Sequence, residues 1–93
     1  MKSYACIDRV EGDFAVCVVE LVDTENSKNI ELGDRETKIM DAKMENIILD
    51  VGQEVHEGDI IVVEHNGIDV IFVYCVDEGE KKRRIEYINQ VLG

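Results

Sequence analysis

Two long apolar runs flank the dipeptide Asn66-Gly67 within residues 55–75, VHEGDIIVVEHNGIDVIFVYC. Asn-Gly is the strongest short-range signal for a β-hairpin, because both turn residues tolerate a positive φ angle. The segment therefore predicts a hairpin over residues 58–76. Both faces of that hairpin would be apolar, whereas a hairpin with one wet face alternates apolar and polar residues. Something else must cover each face.

A two-residue turn at Asn66-Gly67 fixes the predicted register of this hairpin. Its pairs are Val63 with Val70, Ile61 with Phe72, Val62 with Ile71, Ile60 with Val73, and Glu64 with Asp69. Directly opposed like charges destabilise a strand pair. We interpret Glu64 and Asp69 as side chains that splay into water. The alternative is an acidic recognition point for a basic partner.

The C-terminal segment supplies a candidate cover for the outer face of the hairpin. Asp77-Glu78-Gly79-Glu80 has the D-x-x-E pattern of a capping box at a helix N-terminus. An apolar stripe at helical spacing follows it, formed by Ile85, Ile88, Val91 and Leu92. We predict a helix over residues 79–92 that packs this stripe on the hairpin. The alternative cover is a second copy of the chain, so both a monomer and a homodimer stay open.

Residues 1–21 predict another β-hairpin, with Glu11-Gly12-Asp13 between two apolar runs rich in β-branched residues. A two-residue loop at Glu11-Gly12 would place Cys6 opposite Cys17. The core face would then hold Ala5, Ile7, Phe14, Val16 and Val18. A three-residue loop would shift the register by one residue and remove the cysteine pair.

The middle of the chain is less regular. Residues 22–36 are polar and predict a loop or insertion, with at most a short strand at 30–32. Residues 37–52 predict a short strand over 37–41 and then a helical turn over 43–49. Together the segments predict a single α+β domain: a small, mostly antiparallel, barrel-like β-sheet with a C-terminal helix packed on it.

Composition excludes several classes of function. The chain has 10 Lys and Arg against 21 Asp and Glu, for a net charge of −11. Because nucleic-acid binding depends on cations that meet phosphates, we expect no nucleic acid as a partner. No apolar run is long enough for a membrane span, and the first residues lack the apolar core of a secretory signal. We therefore expect a cytoplasmic protein with no membrane partner.

The cysteines and histidines give no catalytic pattern. Cys6, Cys17 and Cys75 are odd in number and form no C-x-x-C motif, so we expect reduced, buried thiols. His56 and His65 lie at the ends of the central hairpin, where we expect surface turn residues. Nucleophilic catalysis needs a nucleophile, a base and an orienting group, and the sequence does not assemble them. We predict no enzyme activity.

No metal or cofactor site is predicted. Acidic and polar residues from Asp23 to Asp34 approach the spacing of a calcium loop, but Lys28 stands where the loop needs glycine. The spacings of structural zinc sites are absent. A soft site built from Cys6, Cys17 and a third ligand remains an alternative.

Four of the ten basic residues form one cluster, Lys81, Lys82, Arg83 and Arg84. Cations near a helix N-terminus oppose the macrodipole, so another interaction must favour them there. We interpret the cluster as ion-paired with the acidic sheet beside the helix. The alternative is a contact patch for an acidic partner.

Three segments carry a resemblance to a known family: YACIDRVEGDFAVCVVEL at the start, VHEGDIIVV in the middle and GEKKRRIEYINQVL at the end. They resemble an uncharacterised small bacterial domain family, the domain of unknown function 3006. Residues 22–43 depart from the family pattern and resemble a longer insertion. Members of the family are often encoded beside, or fused to, competence-type hydrolases with a metallo-β-lactamase fold. The resemblance implies an accessory role and, as a protein partner, such a hydrolase.

These observations predict a non-catalytic accessory module that binds another protein, through an exposed sheet edge or its acidic face. The alternative is a domain that binds a small ligand or a metal.

Overall fold

A five-stranded antiparallel sheet and one C-terminal helix form the fold in a computed structural model, which describes residues 1–47 and 54–92 (for Leu92, the backbone alone). The elements are β1 (Lys2–Glu11), β2 (Phe14–Glu20), β3 (Thr37–Lys43), β4 (Ile60–His65), β5 (Val70–Val76) and α1 (Glu78–Leu92). The strand order is β3-β2-β1-β4-β5. This architecture confirms the predicted α+β class.

The sheet curls until its two outer strands approach each other. Lys38 of β3 donates a hydrogen bond from Nζ to the carbonyl oxygen of Gly67, 2.8 Å away beyond β4. Ile47 forms a single parallel bridge with Val73 of β5. Within the described residues no continuous ladder joins β3 to β5, so the sheet is not a closed barrel and the predicted barrel-like shape holds only loosely.

Apolar side chains cover both faces of the sheet, because successive residues of a strand point to opposite sides. The inner cluster contains Ala5, Ile7, Ala15, Cys17, Val19, Met40, Ala42, Val55, Ile61, Val63, Val70 and Val73. The outer cluster contains Tyr4, Ile60 and Val62, with Cys6 against them. Burial of each Val or Ile stabilises the fold by about 1.5–3 kcal/mol. Strand β4 is buried on both faces, as predicted, whereas β5 leaves Ile71 and Tyr74 exposed.

The predicted register of the first hairpin is wrong, because the turn lies one residue later than predicted. The turn is Gly12-Asp13, so Glu11 pairs with Phe14, and a bulge beyond Ile7 then places Ile7 opposite Cys17. Gly12 has a φ of +56° and Asp13 does not have a positive φ, a pattern that suits a type II′ turn with glycine first. The inner face consequently carries Ala15, Cys17 and Val19 instead of Phe14, Val16 and Val18.

The predicted register of the second hairpin is also wrong. Val63 pairs with Val73, Glu64 pairs with Phe72, and residues 66–69 form the connection. The side chain of Asn66 explains the longer loop, because its Oδ1 accepts hydrogen bonds from the N–H groups of Ile68 (2.9 Å) and Asp69 (2.8 Å). Glu64 therefore does not face Asp69.

Helix α1 begins as the sequence predicted, but its apolar stripe is not buried. Asp77 Oδ1 accepts the N–H of Glu80 at 2.9 Å, which is one half of the capping box. Ile85, Ile88 and Val91 are 50%, 44% and 63% exposed. The prediction that the stripe packs against the hairpin is therefore wrong for these three residues, because the anchors of α1 are polar groups in its first two turns.

Residues 22–36 form two short 3-10 turns, Asn26–Asn29 and Leu32–Asp34, and no strand at 30–32. The spacing that resembled a calcium loop serves a local turn instead: Asp23 accepts hydrogen bonds from the backbone N–H and the side-chain amide of Asn26. After β3, a 3-10 turn covers Met44–Asn46. The end of the helical turn predicted over 43–49 lies outside the described residues.

Candidate interaction site

A buried ion cluster joins the helix to the outer face of the sheet. Glu20, the last residue of β2, is only 4% exposed. Its Oε1 lies 3.1 Å from Nη2 of Arg84 in α1 and 3.2 Å from Nη1 of Arg35, which precedes β3. Arg84 also lies over the ring of Tyr4, 5.4 Å from its centroid, in a cation–π contact. One carboxylate thus fastens two distant segments to the sheet.

Beside this cluster, an apolar groove of about 370 Å³ separates α1 from the sheet. The strand register places Cys6 next to Val18 and Ile60, which form its floor. Ile85 and Ile88 form the helical wall. The other residues that line it are Glu20, Leu32, Thr37, Gly58, Lys81 and Arg84.

A second depression of about 250 Å³ continues the groove between α1 and the 3-10 turns. It shares Leu32 and Arg84 with the apolar part. Its other lining residues are Lys28, Ile30, Glu31, Arg35, Glu80, Arg83 and Tyr87. We call the two parts together the α1 groove.

A larger depression of about 680 Å³ lies elsewhere, with Val10, Met44 and Val55 in its wall. Its described charged residues, Glu54 and Glu57, are exposed on the rim. The α1 groove combines apolar walls with charges held in fixed positions by burial, which is the better basis for specific recognition.

The predicted basic cluster divides into different roles. Arg84 belongs to the buried ion cluster, Lys81 approaches Asp59 at 3.7 Å, and Arg83 approaches Glu80 at 3.3 Å. Lys82 is exposed. The remaining predicted site residues, Glu64 and Asp69, lie in the second hairpin, where Glu64 accepts a hydrogen bond from the Met1 ammonium at 3.2 Å. Neither lines the α1 groove.

The cysteines do not meet. Cys17 lies in the inner cluster and Cys6 against the outer one, so the alternative of a soft metal site that uses both is wrong. Burial, with Asp41 nearby, raises the pKa of the Cys17 thiol to about 12. Cys75 is exposed, contrary to the prediction of three buried thiols. Residues 1–47 and 54–92 contain no group of three or more His, Cys, Asp or Glu that could hold a metal ion.

His65 is buried, although the sequence predicted a surface residue. It is 5% exposed, and its Nδ1 accepts the backbone N–H of Gly67 at 3.0 Å. The proton therefore sits on Nε2, which donates to Ser3 Oγ at 3.0 Å. The signal that could have revealed this burial is alternation, because His65 continues the row of Ile61 and Val63.

This environment predicts a pH dependence of stability. Burial, with the Met1 ammonium nearby, lowers the pKa of His65 below its ordinary value of 6.5. At a pH between the pKa values of His65 in the folded and unfolded states, the unfolded chain binds more protons than the folded one. The free energy of unfolding should therefore rise with pH in that window, and this contribution should be lost as the pH falls below 6.5.

Urea denaturation at a series of pH values measures this dependence. His65→Gln should reduce the slope of the free energy of unfolding against pH by up to about 1.4 kcal/mol per pH unit, which is the maximum for the binding of one proton. His56→Gln, at an exposed histidine, is the matched control and should keep the wild-type slope. Equal slopes for the wild type and His65→Gln would refute the assignment.

Comparisons of this chain with protein-family models, curated proteins and solved structures give no significant match. The resemblance to the bacterial domain family stays a prediction. In the described part of the chain, no helix is long and apolar enough to cross a membrane.

Proposed function

We propose that this domain is a non-catalytic accessory module that binds a segment of a partner protein in the α1 groove. One observation carries the proposal: α1 holds Ile85 and Ile88 over an apolar floor, and its own sheet leaves both about half exposed. Clustered apolar surface bordered by charged groups is typical of protein-binding sites, whereas scattered apolar residues are not.

The buried ion cluster supports this proposal, because it fixes the geometry of the groove before a partner arrives. Arg84 holds the helical wall and Arg35 holds the 3-10 wall, both through Glu20. A preformed groove loses little conformational entropy on binding.

Two buried groups support the absence of catalysis. His65 uses both ring nitrogens in hydrogen bonds within the fold. Cys17 has a pKa of about 12 and stays protonated, and a thiol is a far weaker nucleophile than a thiolate. The odd number of cysteines and the lack of a disulfide among Cys6, Cys17 and Cys75 support a reducing compartment, so we propose that the protein is cytoplasmic.

The family resemblance suggests a metallo-β-lactamase-fold hydrolase as the partner. A second copy of this chain is disfavoured, because each copy carries a net charge of −11. That charge also opposes nucleic acid as a partner.

The proposal predicts that the double variant Ile85→Gln/Ile88→Gln loses its partner. Two apolar contacts disappear without a change in net charge, so binding should weaken by about tenfold or more. Affinity purification from the source cells, with quantitative mass spectrometry, measures the proteins recovered by each variant.

The matched control is Ile68→Gln/Ile71→Gln, which changes two exposed isoleucines of the second hairpin. It should recover the same partner as the wild type. The same recovery by all three proteins, or equal loss from both variants, would contradict the proposal. Sedimentation of the purified protein, without any partner, tests the alternative that a second copy of the chain occupies the groove. If the wild type is a dimer and Ile85→Gln/Ile88→Gln is a monomer, the partner is a second copy and not a different protein.

A further inference from the structure

We infer that the partner segment in the α1 groove is acidic as well as apolar, with carboxylates beside aliphatic side chains. This inference rests on the proposed function and names the chemistry of the partner. It comes from the distribution of charge along the groove, which is opposite to that of the whole chain.

Cations are concentrated in the groove. Among the described residues, five of the ten Lys and Arg line it: Lys28, Arg35, Lys81, Arg83 and Arg84. Of the Asp and Glu that the structure describes, only three do so: Glu20, Glu31 and Glu80. In a chain with a net charge of −11, this local excess of positive charge complements an acidic segment.

The guanidinium groups of the buried cluster retain donors for a ligand. Arg35 uses Nε and Nη1 within the fold, and Arg84 uses Nε and Nη2. No buried side-chain nitrogen in the described residues lacks a hydrogen-bond partner. Because Arg35 Nη2 and Arg84 Nη1 have no partner there, both must be accessible to solvent. They are donors in fixed positions where a carboxylate can bind.

The two parts of the groove adjoin at Leu32 and Arg84. An occupant that spans both parts therefore places an aliphatic group between Ile85 and Ile88 and a carboxylate near Arg83. A small amphiphile, such as a fatty acid, has the same two chemistries. However, small-molecule sites bury most of their ligand, whereas Ile85 and Ile88, which form the helical wall of this groove, are about half exposed. The geometry favours a polypeptide that lies along the surface.

Selection from a random peptide display library tests the inference. The purified wild-type domain should enrich peptides in which Asp or Glu adjoins Leu, Ile, Val or Phe. A selected peptide, labelled with fluorescein, should bind about fivefold more weakly to Lys28→Gln/Arg83→Gln, because two exposed ion pairs are lost. The control Arg9→Gln/Lys43→Gln changes the net charge equally outside the groove and should bind as the wild type does.

The outcomes separate this inference from the proposed function. Basic or neutral peptides whose binding depends on Ile85 and Ile88 would overturn the acidic chemistry and leave the groove as the binding site. Peptides that bind Ile85→Gln/Ile88→Gln as well as the wild type would overturn both. If no peptide is enriched, the inference fails. Decanoate is the probe for the fatty-acid alternative in NMR titrations of the domain. The inference also fails if decanoate shifts the amide resonances of the groove residues and no selected peptide shifts them.

Discussion

Glu20→Gln is expected to lower the free energy of unfolding by about 3–5 kcal/mol, one of the two largest effects we predict. Gln has nearly the shape of Glu, so the variant removes charge rather than volume. The side chains of Arg35 and Arg84 are 11% and 13% exposed, and both would lose their shared carboxylate. A largely buried charge whose partner has been removed recovers little of its hydration, which makes the loss large.

Urea denaturation of the variant measures this loss. Glu36→Gln is the matched control, because Glu36 is exposed in the same part of the chain, and it should change stability by less than about 0.5 kcal/mol. A second pair of variants compares two neighbouring arginines of α1. Arg84→Gln should destabilise the fold strongly, whereas Arg83→Gln, at an exposed residue, should not. A loss below about 1 kcal/mol for Glu20→Gln would mean that the cluster is solvated.

The sequence indicated the elements more reliably than their registers. Asn66-Gly67 and Gly12 marked both hairpins correctly, because Gly67 and Gly12 supply the positive φ angles that the two turns require. The register depends on which residues occupy the loop, and that depends on side-chain contacts such as the two hydrogen bonds to Asn66 Oδ1. In the first hairpin the loop has two residues, as predicted, but the bulge between Ile7 and Arg9 shifts the pairing by one residue and moves β2 to the opposite face, which explains the error at Phe14.

Only part of the candidate site was visible in the sequence. The basic cluster was noticed because its four members are consecutive. Glu20 and Arg35 were missed, because Glu20 ends an apolar strand and resembles a solvated terminus. Their role depends on Arg84, which is 64 residues from Glu20 along the chain, and no local pattern records such a pairing. The exposure of Ile85 and Ile88 was equally unpredictable, since an apolar stripe looks the same whether its cover is the chain's own sheet or a partner.

Ile61→Ala is the other variant with a large expected effect, a loss of about 2–5 kcal/mol in the free energy of unfolding. Ile61 is fully buried near the start of β4, which lies between β1 and β5. It pairs with Ala5 on one side and Val76 on the other. The size of the loss depends on how far the neighbours can relax into the cavity, and strands on both sides restrict that relaxation.

Ile71→Ala is the matched control, since Ile71 is the same residue type in the adjacent strand but is about half exposed. Its expected loss, measured by the same denaturation, is about 1 kcal/mol or less. The comparison tests the register of the second hairpin as well as its burial. A simple two-residue turn at Asn66-Gly67 would pair Ile71 with buried Val62, whereas the structure pairs Val62 with Cys75. Equal losses at Ile61 and Ile71 would favour the simple turn and contradict the four-residue connection held by Asn66.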